Sequence, residues 1–275
     1  MVRIESWTRW PWLRHGFSTR RGGVSTVYGN LSDLNLGWTR EDDPALVAEN
    51  RRRFVRSVGG DDRPSGWRLV TVRQVHSNAV HAVGEEAFTG SLETTEGKAV
   101  LEGDGLMTQV PGVMIAVGTA DCVPVLLVDT RLRAVAALHA GWRGTVAGIA
   151  ERGVEAMRSE YGSRLEDLAA AIGPAIGACC YAVGDEVRAG FAARYSYADA
   201  LFRNAGAALY VDLWEANRRQ LLDAGLGAEQ IEVVGECTAC ARDHDGLRYF
   251  SHRGERGVAG RMLSAVAVLD GAAAD

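Results

Sequence analysis

The chain has 275 residues, 47% of them apolar and 24% charged, the makeup of a folded globular protein, which excludes a mainly disordered chain. Its 30 Lys and Arg against 35 Asp and Glu leave a net charge of −5, so the clustered positive surface of a nucleic-acid binder is not expected. A chain this long buries enough surface for a core without disulfide or metal staples, and its length is compatible with one large domain or two small ones.

The opening residues, MVRIESWTRWPWLRHG, interleave charges with tryptophans and carry no apolar segment of the kind a secretory leader needs. No run approaches the ~18 apolar residues of a membrane span. Five cysteines, two of them adjacent at Cys179 and Cys180, form no regular framework and read as reduced thiols. A cytoplasmic protein is expected.

In chain order, residues 59–66 (GGDDRPSG) and 85–105 read as linkers, because glycine, threonine and acidic residues replace the apolar rhythm. Residues 69–75 and 113–117 read as strands, and 124–129 with 133–139 as a hairpin joined by Thr130, Arg131 and Leu132. From Thr145 to Tyr161, Val146, Ile149, Ala150, Gly153, Val154 and Met157 share one face, which predicts a helix stopped by Gly162. Helices are also expected over 185–195 and 213–224, the second ended by Gly225, and strands over 231–234 and 263–269. The chain has no internal repeat, and its low-complexity tract is the short GAAAD end. Strands and helices mix without strict βαβ alternation, so the expected class is α+β with a mixed sheet.

Three metal-capable side chains fall where strands end: His76 in RQVHS, Cys122 in TADCVPV and His139 in LHAGWRG, 46 and 17 residues apart. Two imidazoles and a thiolate suit Zn²⁺ and leave a fourth position open, as catalytic sites do. The same residues also read as a thiol nucleophile, with Cys122 attacking, His139 its base and Asp121 orienting the imidazole. Buried side chains with ordinary hydrogen bonds are a third reading, and spacing alone favours it.

Only one of the basic residues, Lys98, is a lysine, so cationic recognition rests on arginine, whose planar fork grips phosphate or carboxylate. His139-Ala-Gly-Trp-Arg-Gly-Thr145 leads from a strand into a helix, where glycine N–H groups, the helix start and Arg143 suggest a phosphate site. Ser18-Thr19-Arg20-Arg21-Gly22-Gly23 is a comparable turn. Cys237-Thr-Ala-Cys240 reads as redox-active or as half of a structural zinc site that Cys179 and Cys180 would complete, although ordinary thiols are the expectation. No His-x-His pair occurs among His15, His76, His81, His139, His244 and His252, so a trinuclear copper cluster lacks ligands. Trp38, Trp142, Trp214, Tyr249 and Phe250 offer stacking surface for a base. Asp185, Glu186 and Asp212 read as helix caps.

Taken together, HGFSTRRGGVS (15–25), NLG (35–37), RQVHS (73–77), TADCVPVLLVD (119–129), LHAGWRGT (138–145), AIGPAIGACCYAVGDEV (171–187) and YFSHRGERGVAGRM (249–262) resemble the YfiH family, also called the laccase-domain or polyphenol oxidase family. The resemblance implies one domain over 1–275, with layered mixed sheets flanked by helices, and Zn²⁺ held by His76, Cys122 and His139. It also implies a purine nucleoside phosphorylase that cleaves adenosine, inosine, guanosine or methylthioadenosine with phosphate and can deaminate adenosine. The segment 241–246 (ARDHDG) departs from the family pattern around Cys237.

The site expected on this basis has Cys122, His139 and Asp121 as catalytic residues and Arg143, Arg20 and Arg253 on phosphate or substrate. The expected partners are a purine nucleoside and phosphate, with no nucleic acid and no membrane, and the chain is expected to act as a monomer. The alternatives are a Cys-His hydrolase acting on a peptidoglycan precursor and a non-enzymatic binding protein with a structural zinc.

Overall fold

A computed structural model describes residues 1–61, 63 and 66–270; the GAAAD end and residues 62, 64 and 65 of the first expected linker lie outside the described residues. The protein is α+β, built from two main mixed sheets. Strands Ile231–Val233, Leu168–Ile172, Val123–Asp129, Ala134–Ala140, Gly105–Thr108 and Val80–Ala82 form one in that order, parallel at its two edges and antiparallel between. The other sheet runs Leu13–Phe17, Met262–Val268, Val113–Thr119 and Arg68–Thr71.

The alternation of side chains along each strand builds four layers. Val123, Val125, Leu127 and Leu138 face helices Ile149–Tyr161, Asp185–Ala192 and Leu213–Asp223. Leu126, Val128, Val135 and Ala137 point the other way, against Phe17, Val70, Ile115 and Val266 of the smaller sheet. The outer face of that sheet, Met114, Ala116 and Ala265, is covered by Phe54 and Val58 of helix Pro44–Gly59. Strands covered on both faces are largely apolar, which is why 123–128 and, apart from Ser264, 262–268 read as runs rather than as alternating patterns.

The hairpin forms in the expected place, with Val123 opposite Ala140 and Asp129 opposite Ala134. Asp129 Oδ1 closes its turn by accepting the N–H groups of Arg131 (2.9 Å) and Leu132 (2.7 Å).

Three expected elements differ. The helix expected over 145–161 is two helices, Trp142–Val146 and Ile149–Tyr161, because Gly148 at φ 79° leaves the helical region between them. The strand expected over 69–75 is regular only over Arg68–Thr71; beyond it the Gln74 amide pairs with Gly118, donating to its carbonyl and accepting its N–H at 2.7 Å each, in place of a backbone ladder. The 85–105 segment is no loose linker, since Ala87 and Leu92 are buried and Asp104 is fully so. Helix Pro44–Gly59 is an unforeseen element that the sequence does signal, through the Asp43 cap, Pro44 in the first turn, Val47, Phe54 and Val58 on one face, and Gly60 at the stop.

His15, on the Leu13–Phe17 strand, is buried against Trp7 at 5.0 Å between ring centres, and its Nε2 accepts the Ile4 N–H at 2.9 Å. Burial, and then the Arg3 cation, push its pKa down to about 4. Below pH 6.5 the unfolded chain therefore binds a proton that the folded chain refuses, so the stability is full above 6.5 and is lost as pH falls toward 4. A shift of this size is worth about 3 kcal/mol. Urea denaturation should show wild type losing roughly 2–3 kcal/mol more than His15→Gln between pH 7 and pH 4.5. Equal losses would refute it.

Candidate active site

Cys122 directly precedes the Val123–Asp129 strand and His139 is the next-to-last residue of its hairpin partner, opposite Pro124, so the ladder itself brings them close. His76 comes from the segment that leaves the smaller sheet after Arg68–Thr71. Ligand atoms of His76, Cys122 and His139 lie within 4.8 Å of one another, with Cys122 Sγ 3.9 Å from His76 Nε2 and the two imidazoles edge to face at 5.0 Å between centres. Gly141 makes this approach possible: a Cβ there would stand 2.7 Å from His76 Cδ2 and 3.0 Å from Cys122 Sγ.

Asp104 organises the group. This fully buried carboxylate accepts the N–H groups of Val75 (3.2 Å), His76 (3.0 Å) and Ser77 (2.6 Å), the Ser77 hydroxyl (2.8 Å) and the His139 Nδ1–H (2.8 Å). It fixes His76 in the left-handed region at φ 61°, a conformation that costs a non-glycine residue roughly 1–3 kcal/mol. With Nδ1–H committed to Asp104, the neutral ring would offer its Nε2 lone pair to a ligand, the carboxylate–histidine arrangement of metal centres.

The charges follow. Burial works against ionisation of Asp104, but the hydrogen bonds from His139 and Ser77 outweigh it and pull the carboxyl down to about 2. Burial likewise opposes the Cys122 thiolate, yet the His139 charge and the hydrogen bonds of both histidines bring the thiol down to about 6. His139 rises to about 9 against burial, through the Cys122 thiolate and Asp104. Without a metal, the site is a thiolate–imidazolium pair backed by a carboxylate. Two imidazoles and a ready thiolate in mutual reach are a fitting donor set for a zinc-like ion.

The triad opens on a cavity of about 680 Å³, large enough for a nucleoside-sized ligand, whose walls include Gln74, Trp38, Asp121, Tyr181 and Arg253. Asp121 is held from both sides, Oδ1 accepting from Thr238 Oγ1 (2.6 Å) and Oδ2 from the Arg253 N–H (2.8 Å). The Arg253 guanidinium lies 5.3 Å from the Tyr181 ring centre and donates to the Ala182 carbonyl.

Two of the expected phosphate arginines are elsewhere. Arg20 is buried and its donors are spent on Asp33, Glu255 and the Tyr28 carbonyl, over the Phe250 ring; it ties residues 28–33 to 250–255 and does not reach the cavity. A guanidinium without water has to be neutralised by such partners, and this one holds the fold. Arg143 is exposed, stacks 4.3 Å over Trp142 and is not among the cavity walls. Its turn starts a helix of only five residues, and Gly144 serves close packing, since a Cβ there would stand 2.9 Å from the Ser77 carbonyl oxygen.

Sequence reasoning missed Asp104 and two arginines. Asp104 sits alone between Gly103 and Gly105 ahead of the apolar Leu106-Met107, and a lone carboxylate entering a buried strand is the signal that could have revealed it. Arg51 and Arg261 line the cavity and donate to backbone carbonyls (Arg51 to Leu36, Arg261 to Ala259 and Gly260) rather than to carboxylates. Tyr249 and Phe250 are fully buried and Trp214 packs in the core, so among the expected stacking rings only Trp38 reaches the cavity. Asp212 caps its helix as expected, accepting from the Glu215 N–H. The four remaining cysteines, expected as ordinary thiols, are brought together.

Residues 14–269 match the family model described as multi-copper polyphenol oxidoreductase laccase. Copper clusters find no support in the residues: all six histidines are among the described residues, and only His76 and His139 come together around a shared ligand position. A purine nucleoside phosphorylase of Deinococcus radiodurans is 38% identical over 255 residues, 92% of this chain and 88% of that protein. The adenosine deaminase RL5, from an unknown prokaryotic organism, is 40% identical over 227 residues, 82% of this chain and 84% of that protein. Among solved structures, the Bacillus licheniformis protein YfiH superposes with a TM-score of 0.84 at 34% identity, covering 96% of this chain and 95% of its own.

Proposed function

Because the chain belongs to the YfiH laccase-domain family and is an enzyme, we propose that it is a zinc-dependent purine nucleoside phosphorylase, with adenosine deamination as a second activity on the same site. The observation that carries this reading is the convergence of His76, Cys122 and His139 on one wall of a nucleoside-sized cavity, in a chain 38% identical to a protein of that name. The whole chain acts as one catalytic domain and as a monomer in the cytoplasm. No helix among the described residues is long and apolar enough to cross a membrane.

His76, Cys122 and His139 would hold the zinc ion. Bound there, zinc would supply Lewis-acid charge for an oxygen of phosphate or ribose, and for deamination it would lower the pKa of water to about 7. Phosphorolysis forms a bond from a phosphate oxygen to the ribose C1′ and breaks the C1′–N9 bond to the purine, through a ribosyl group with cationic character. Asp121 faces that charge as an acceptor fixed by Thr238 and Arg253. Arg253, Arg51 and Arg261 place guanidinium charge on the cavity wall for phosphate. Trp38 and Tyr181 offer aromatic surface on the cavity wall for a planar base.

A second reading rests on the Asp104–His139–Cys122 array, which has the layout of a cysteine hydrolase. Adenosine should give adenine and ribose 1-phosphate only when phosphate is added, and zinc chelation should abolish the reaction. Adenine release that ignores phosphate, or amide hydrolysis that survives chelation and stops on thiol alkylation, would overturn the phosphorylase reading, the latter in favour of the hydrolase.

A further inference from the structure

The proposed reaction leaves four cysteines unused. Strands Leu168–Ile172 and Ile231–Val233 are parallel neighbours, so the segments after them leave the same end of the sheet. The first carries Cys179 and Cys180 and the second Cys237 and Cys240, and the bridge from Ala175 to Cys237 extends the pairing up to them. All four Sγ atoms lie within 4.8 Å of one another, and Cys179 Sγ stands 3.7 Å from Cys240 Sγ. A tetrahedral ion with Zn–S bonds of about 2.3 Å has sulfur–sulfur edges of roughly 3.8 Å. A disulfide needs about 2.05 Å, and all five cysteines are free.

Each half of the cluster is shaped by its own backbone. The N–H groups of Cys180 and Tyr181 close on the Gly177 carbonyl at 2.9 and 3.0 Å, and those of Cys240 and Ala241 on the Cys237 carbonyl at 3.3 and 2.8 Å. Cys237 is buried, and its sulfur accepts the Gly177 N–H at 3.3 Å, the contact a thiolate requires once water is excluded. Residue 177 has to be glycine, because a Cβ would stand 2.8 Å from the Trp214 ring and 3.3 Å from Cys179 Sγ. Cys179 and Cys240 are exposed, which leaves a path for an ion to enter.

We propose that Cys179, Cys180, Cys237 and Cys240 form a second metal site, a tetrathiolate that takes Zn²⁺ with no position open to substrate. The thiols release their protons as the ion binds. Its effect on catalysis is positional. Tyr181, next to Cys180, lines the cavity, and Thr238, inside the Cys237–Cys240 turn, donates to Asp121 at 2.6 Å. The ion thus clips together the two turns that hold Asp121 and Tyr181 beside Cys122.

The test is metal content by mass spectrometry on protein purified without added metal, with alkylation of the unfolded, unreduced chain to count free thiols. Wild type should carry two zinc ions per chain, and Cys122→Ala should keep one, with all four remaining cysteines alkylated. Cys179→Ser/Cys240→Ser, both exposed positions, should lose that ion and keep the one at Cys122. One ion in wild type that stays in Cys122→Ala and leaves with the double serine variant supports this site and sinks the other. A Cys122→Ala chain without zinc, with iron or copper instead, or with two thiols missing from the alkylation count overturns the proposal.

Discussion

Replacing Cys122 by alanine should remove one zinc ion per chain and lower phosphate-dependent cleavage of adenosine at least about 10³-fold, corresponding to roughly 4 kcal/mol of transition-state stabilisation. The expectation follows from the placing of Cys122 on the cavity wall, within 3.9 Å of His76 and beside the buried His139. With its sulfur gone, two imidazoles remain, a donor set too small to hold the ion against chelation. The side chain is half-buried and outside the apolar core, so the variant should melt near the temperature of wild type stripped of metal. Metal analysis, a melting curve and an assay with and without phosphate read all three quantities. Zinc retained at the wild-type level with activity lost would favour a thiol nucleophile over a metal ligand. A chain that no longer folds would favour a binding protein with a structural ion. More than a tenth of wild-type activity would remove Cys122 from the mechanism.

The other large effect is expected at Asp104, which never touches the substrate cavity. Alanine there strands five donors: three backbone N–H groups over residues 75–77, the Ser77 hydroxyl and the His139 Nδ1–H. Each unsatisfied buried donor costs about 1–3 kcal/mol, and the segment can turn some of them to water, so a net loss of about 3–5 kcal/mol is expected. At 2–4 °C per kcal/mol this lowers the melting temperature by about 10 °C. Asparagine separates the two duties of the residue. It keeps the shape and one acceptor, so it should fold better than alanine. Its NH₂ end must meet a donor, and if it faces His139 the imidazole flips to the tautomer whose Nε2 carries the proton and cannot ligate. Zinc affinity should fall about 10- to 100-fold, the usual cost of losing the partner behind a histidine ligand. Titration of metal-free Asp104→Asn with zinc tests this. Affinity within threefold of wild type would show that the carboxylate only supports the fold.

Both predictions concern residues the sequence treats very differently. Cys122 and His139 stand out because each borders a long apolar run, and such runs mark strands whatever their partners. Asp104 lies in a stretch whose glycines and acidic residues give no periodic signal, and its role exists only once the hairpin and the 75–77 turn close around it. Arg20 shows the reverse. Its position in the Arg20-Arg21-Gly22-Gly23 turn suggests an anion site, but the folded chain seals it against Asp33 and Glu255.

What the sequence by itself determined is local: the apolar runs that became doubly covered strands, the 123–140 hairpin, the stops at Gly162 and Gly225, the Asp212 cap, and through its motifs the family. These depend on residues a few positions apart, whose spacing is set by the geometry of helix and strand. Tertiary structure alone decided that residues 76, 122 and 139 share a ligand position, that Asp104 backs them, and that Cys179 and Cys180 meet Cys237 and Cys240. Those meetings depend on strand order and on which strands run parallel. The meetings themselves join residues 46 and 61 positions apart. A residue's own neighbours along the chain carry no record of them.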